Sequence, residues 1–129
     1  MALLVLDASI VIAWFDRNDA LHLRSTAALE LTRTDERVLP ASAYAESLVV
    51  PSRLGQDAIV LFERALAGLP VRVEPITVEV ARRAAELRAR HHALRLGDAL
   101  VLATAIAFDA AVITADRAWT RYYPRVRVI

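Results

Sequence analysis

Leu3-Leu4-Val5-Leu6-Asp7-Ala8-Ser9 decides the fold: four apolar residues run without a polar break into a carboxylate and a small hydroxyl residue. Successive side chains of a strand point to opposite faces, so an unbroken apolar run suits a strand buried on both sides, at the centre of a parallel sheet. Downstream, Ser9 to Phe15 predicts a short helix and Ala20 to Thr32 a longer one. Arg37-Val38-Leu39 reads as a second strand stopped by Pro40. Ser42 to Val50 reads as a helix capped by Ser42 and closed or kinked by Pro51. Gln56 to Ala67 comes next as another helix, ended by Gly68 and Pro70. Val71-Arg72-Val73 is a third strand. Thr77 caps a helix to about His92, with Val80, Ala84 and Leu87 on one stripe and the pairs Glu79/Arg83 and Glu86/Arg90 on the other face. Asp98 then opens a helix that is apolar almost all round and therefore belongs inside the domain. Ala110 to Thr114 is a fourth strand and Val126 to Val128 a fifth at the edge. Strands alternating with helices imply a three-layer α/β/α sandwich around a central parallel sheet, formed by residues 1–129 as a single domain.

The bulk composition narrows the chemistry. The 129 residues are 57% hydrophobic and 24% charged, enough to build a core without covalent staples. There is no cysteine, which removes disulfides, thiolate metal sites and cysteine nucleophiles and suits a reducing compartment. All 16 Lys+Arg residues are arginine, so any mechanism needing a lysine is excluded. The net charge of +1 neither demands nor forbids a nucleic-acid partner. No basic leader precedes the first apolar run, and the oily stretch from Ala99 to Phe108 is about half of what a bilayer span needs. The expectation is a protein of the cytoplasm with no membrane attachment.

Four acids carry the functional reading. Asp7 ends the first strand and Asp116 lies two residues past the fourth, where ligands bind in open parallel sheets. Asp98 stands at the start of the buried helix. Glu46 is the one charge in Ala43-Tyr44-Ala45-Glu46-Ser47-Leu48-Val49-Val50, and the nearest basic residue on its face is Arg53, beyond Pro51. Taken singly, Asp7, Asp98 and Asp116 can each be a helix cap. Taken together, four carboxylates in one cleft would repel and would need cations between them. Mg²⁺ or Mn²⁺ fills that role through oxygen ligands, and a pair of such ions about 3.5–4 Å apart can cleave a phosphodiester with activated water.

The stretches Leu4-Val5-Leu6-Asp7-Ala8-Ser9, Pro40-Ala41-Ser42-Ala43-Tyr44-Ala45-Glu46, Leu96-Gly97-Asp98-Ala99-Leu100 and Thr114-Ala115-Asp116-Arg117-Ala118-Trp119 resemble, in order and spacing, the PIN-domain ribonucleases. In size the chain is most similar to the VapC-type toxins of toxin–antitoxin pairs. The resemblance implies a metal-dependent endoribonuclease in which Asp7, Glu46, Asp98 and Asp116 hold Mg²⁺ or Mn²⁺. It makes Ser9 and Thr114 the hydroxyls that orient acids or water, and Trp119 a packing residue. It also implies an RNA substrate, a small cognate antitoxin packing near the Glu46 helix, and a homodimer. The alternative is a PIN-fold protein that binds RNA or a partner without cutting.

Other functions fit less well. A signalling receiver domain and the haloacid-dehalogenase phosphatases rely on a lysine, and P-loop NTPases need in addition a Gly-rich phosphate loop. DNA-directed 5′-nucleases share the chemistry but carry extra elements. His91 and His92 are adjacent on a helix, point about 100° apart, and read as a solvated helix end. Tyr122 and Tyr123 with Arg117, Arg121, Arg125 and Arg127 form either a base-stacking, phosphate-holding surface or the charged outer face of an edge strand. Trp14 and Phe15 read as core or partner-facing surface.

Overall fold

The computed structural model describes residues 2–129. The elements run β1 (Leu3–Leu6), α1 (Ala8–Phe15), α2 (His22–Leu31), β2 (Glu36–Pro40), α3 (Ala41–Leu54), α4 (Gln56–Gly68), β3 (Val71–Glu74), α5 (Val78–Arg90), α6 (Leu96–Ala107), β4 (Ala111–Thr114), a short 3₁₀ turn (Arg117–Arg121) and β5 (Val126–Val128). The strands form one parallel sheet in the order β3-β2-β1-β4-β5. Leu4, Val5 and Leu6 are all fully buried, which requires cover on both faces of β1. The α/β sandwich expected from that run is the architecture observed.

The order reverses beside β1. The chain moves outward through β2 and β3, then returns to place β4 on the opposite side of β1. Such a switch point opens a crevice beyond the carboxyl ends of the two neighbouring strands. Asp7 comes directly after β1 and Asp116 shortly after β4, so both acids stand at its mouth.

Several boundaries differ from the sequence reading, for local reasons. Helix α3 does not stop near Val50: it runs through Pro51 to Leu54. A proline removes one backbone donor, which a helix tolerates in its final turn when packing holds it, and Pro51 is buried. Ser42 is not the cap of α3: Pro40 takes that place, and Ser42 lies inside the first turn with its hydroxyl unpartnered. Asp98 does not open α6, which begins at Leu96, so Asp98 is a first-turn residue and not the N-cap. Thr77 does cap α5, accepting the Val80 amide at 3.1 Å. Between α3 and α4 the chain turns at Gly55 with φ of 117°, a conformation open in practice only to glycine.

Arg37 is an unusual core residue, 2% exposed in the middle of the sheet. Its Nη1 donates to the Leu29 carbonyl at 2.7 Å and approaches the Thr32 hydroxyl at 3.4 Å, so it ties the end of α2 to β2. Burial pulls its pKa down from the ordinary arginine value, offset by the charges of Asp35 and Glu30. Truncation leaves a cavity and removes the shorter of the two hydrogen bonds to the Leu29 carbonyl, the Thr32 hydroxyl remaining at 3.4 Å. Arg37→Ala is expected to lower stability by about 2–4 kcal/mol, with Arg37→Met recovering the packing part. Urea denaturation of the three proteins checks this, and equal midpoints would refute it.

Candidate active site

Asp7 is the most buried of the four acids. It is 7% exposed, and its Oδ1 accepts the Ala8 amide at 2.8 Å, which makes Asp7 the N-cap of α1. Its Oδ2 accepts from the hydroxyls of Ser9 at 2.8 Å and Thr114 at 2.9 Å. Each hydroxyl in turn accepts a backbone amide from the loop after β4. Ala115 N–H reaches Ser9 at 3.2 Å and Asp116 N–H reaches Thr114 at 3.1 Å. Ser9 and Thr114 thus join two distant chain segments through one carboxylate oxygen. Asp116 caps the adjoining 3₁₀ turn by accepting the Ala118 amide at 2.9 Å. The capping reading therefore holds for both Asp7 and Asp116.

Asp7, Asp98 and Asp116 line one cleft of about 710 Å³, together with Ser9, Arg95, Arg117, Arg121, Trp119 and Tyr122. Glu46 stands on its margin. It lines the neighbouring apolar groove between α1, α3 and α4, and its charge still acts on the cleft. Burial is the largest influence raising the Glu46 pKa, followed by the charges of Asp7 and Asp98. Burial also leads in raising Asp98, with Asp7 and Asp116 adding to it. In Asp7, burial outweighs its hydrogen bonds, and its pKa is raised too. Among the described residues, no three Asp, Glu, His or Cys side chains lie in an arrangement that could hold a metal ion.

The sequence reading missed the parts played by Arg95 and Gly97, and it gave Trp119 only the packing role that its burial bears out. Arg95 is the one cation that draws down both Glu46 and Asp98, so Glu46 has a counter-charge other than Arg53. Its signal was its position one turn before Asp98. Trp119 is 1% exposed with its indole Nε1 lacking a partner at hydrogen-bond geometry, yet that group lies near enough to Asp98 to lower its pKa. Gly97 has the Glu46 carboxylate against it, a closeness only coordinates show.

The tyrosine–arginine segment divides. Tyr123 is structural, donating to the Ala110 carbonyl at 2.7 Å, and Arg125 pairs with Asp109 at 3.1 Å. Arg127 projects exposed from the edge strand. Arg117, Arg121 and Tyr122 face the cleft, and the Tyr122 ring lies 4.8 Å from that of His91, which is half-buried and not a freely solvated helix end.

A PIN domain family model matches residues 4–123, and the chain belongs to that family. A toxin–antitoxin complex from Klebsiella pneumoniae is similar to it in structure, with a TM-score of 0.77, 22% identity, and 96% of this chain and 95% of that chain covered. VapC20 of Mycobacterium tuberculosis, described as a sarcin–ricin-loop-cleaving toxin, gives a TM-score of 0.76 at 20% identity, covering 92% and 93% of the two chains. FitAcB from Neisseria gonorrhoeae gives 0.68 at 25% identity, covering 88% and 87%. No curated protein sequence matches this chain. Among the described residues no helix is long and apolar enough to cross a membrane.

The electrostatics predict a pH dependence. A carboxyl whose folded pKa is raised binds its proton more tightly when folded. The stability it contributes is complete below the unfolded pKa and is lost as pH rises through the folded one. In EDTA, Asp98→Asn is therefore expected to be more stable than wild type at pH 7, melting a few degrees higher, about 3–5 °C per kcal/mol gained for a chain of this size. The advantage should shrink as pH is lowered through the raised pKa of wild-type Asp98 and disappear once its carboxyl is protonated in the folded protein. Thermal unfolding across that range checks the sign, and a less stable Asp98→Asn at pH 7 would contradict it.

Proposed function

We propose that this protein is an Mg²⁺- or Mn²⁺-dependent endoribonuclease acting as the toxin of a VapC-type toxin–antitoxin pair, with Asp7, Glu46, Asp98 and Asp116 as its metal-holding residues. The observation that carries the reading is the gathering of buried Asp7, half-buried Asp98 and exposed Asp116 in one cleft at the sheet's switch point, with Glu46 near enough for the charges of Asp7 and Asp98 to raise its pKa against the pull of Arg95. Asp7 and Asp116 also serve the fold as caps, but Glu46 and Asp98 cap no helix, and carboxylates set so close together suit a divalent cation. In chemistry, though not in its spacing, the donor set suits one: it is carboxylate and hydroxyl oxygen, with neither sulfur nor histidine in the cleft lining, and such donors select hard ions. When bound, such ions supply activated water and neutralise the leaving oxygen of a phosphodiester.

The remaining work falls to the chain. The Ser9 and Thr114 hydroxyls keep Asp7 in one orientation, so a donor is in place before substrate arrives. Arg117 and Arg121 on the cleft wall offer phosphate contacts, and Tyr122 offers a ring on which a base can stack. The groove beside Glu46 supports an antitoxin partner. It is lined by Ile12, Phe15, Val50, Pro51, Leu54 and Leu61, with Leu54 75% and Leu61 63% exposed. An apolar segment seated there would abut Glu46 and so reach the acids. The Klebsiella neighbour, a toxin–antitoxin complex, agrees with such a partner. A homodimer and a cytoplasmic setting accompany the reading, the latter in keeping with the absence of cysteine.

A non-cutting PIN-fold binder could use Asp7 and Asp116 as caps but would have little use for Glu46 and Asp98 beside them. Structured RNA incubated with and without Mn²⁺ separates the two. Wild type should cleave only with the metal, leaving 5′-phosphate and 3′-hydroxyl ends. Asp98→Asn and Asp7→Asn should each lose at least about 100-fold, more than one ordinary hydrogen bond accounts for. Equal cleavage by wild type and Asp98→Asn, or 2′,3′-cyclic phosphate ends, would overturn the proposal.

A further inference from the structure

Gly97 is in the first turn of α6, and its backbone is ordinary helix that any residue adopts. Glycine is the poorest non-proline residue for such a turn, so its presence calls for another cause. The structure shows one. A Cβ built on Gly97 would lie 2.5 Å from Glu46 Oε1, inside any real carbon–oxygen contact, and 3.8 Å from the carboxyl carbon. Nothing else crowds the position. The other two glycines differ, because a Cβ on Gly55 or Gly68 would meet nothing within 4 Å.

The neighbourhood makes this contact matter. Glu46 sits on α3 at the rim of the cleft, and Gly97 precedes Asp98 on α6. The side chain of Arg95, the N-cap, makes no capping hydrogen bond, leaving the positive end of the helix open to an outside anion. The bare Cα of Gly97 is what lets the Glu46 carboxylate come down onto that turn, next to Asp98. We infer that Gly97 is a positioning residue for Glu46: its missing side chain is the recess that fixes where the fourth acid stands relative to the other three. This rests on the nuclease reading for its consequence, and on the geometry alone for its existence.

The atom in the way is the far end of a flexible side chain, so a methyl group at Gly97 displaces the carboxylate without breaking the fold. Two measurements test the role. The first needs no activity: thermal unfolding in EDTA of wild type, Gly97→Ala, Glu46→Ala and the double variant. With Glu46→Ala the recess is empty, and Gly97→Ala should raise the melting temperature by about 3 °C through helix propensity. With Glu46 intact the gain should be less than half of that. Equal gains in the two backgrounds would overturn the inference.

The second measurement is Mn²⁺-dependent RNA cleavage. Gly97→Ala should cost at least about ten-fold with Glu46 in place but less than about two-fold in a Glu46→Asp background, where the carboxylate is already withdrawn by one methylene. A merely structural glycine would cost the same in both. If wild type cleaves nothing, the nuclease reading fails, and the unfolding cycle still decides the positioning role.

Discussion

Much of this molecule depends on one carboxylate oxygen. Asp7 Oδ2 accepts two hydroxyls, one from Ser9 just after β1 and one from Thr114 at the end of β4, 107 positions further along the chain. Those hydroxyls hold the two amides that lead the chain out of β4 toward Asp116. The bonds join neighbouring strands that sequence order keeps far apart, at the place where the sheet reverses direction. Breaking them would loosen the β1–β4 junction and the cleft together. A buried carboxylate is costly unless its oxygens are satisfied, and Asp7 meets that requirement with donors that also close the sheet's end.

Fold and site differed in how far the sequence exposed them. Leu3 to Leu6 announces a central strand because period-two burial on both faces leaves a continuous apolar run, a signal contained in four adjacent residues. The apolar helix from Asp98 onward was legible for the same reason. The end of α3 was not, because Pro51 breaks helices only by removing one donor, and whether packing compensates depends on residues from other elements. The start of α6 was missed by two residues, since Gly97-Asp98 matches a cap pattern while Arg95 takes the position without using its side chain. Local rules name the candidates; tertiary contacts choose among them.

The acids divide in the same way. Asp7 and Asp116 were readable because strand ends locate ligands in parallel sheets, and each also caps the helical turn that begins at the next residue. Their two readings were never rivals, because a capping oxygen and a ligand oxygen can belong to the same carboxylate. Glu46 stood out as a lone charge, but its relation to Arg95 and Gly97 spans about fifty residues and leaves no spacing to read. The tyrosine–arginine segment could not be divided from sequence at all. Tyr122 and Tyr123 are adjacent, yet one is spent on the Ala110 carbonyl and the other lines the cleft.

Glu46 belongs to two surfaces at once, and that is a direct consequence of where α3 lies. Its neighbours Val50 and Leu54 face an apolar groove, while its charge is felt by Asp7 and Asp98 across the cleft. Helix α3 reaches this position because Pro51 does not end it and because Gly55 turns the chain back as α4, closing the groove's far wall. A side chain so placed can be reached from the groove and from the cleft alike. One carboxylate, set between an oily trench and a cluster of like charges, adjoins both.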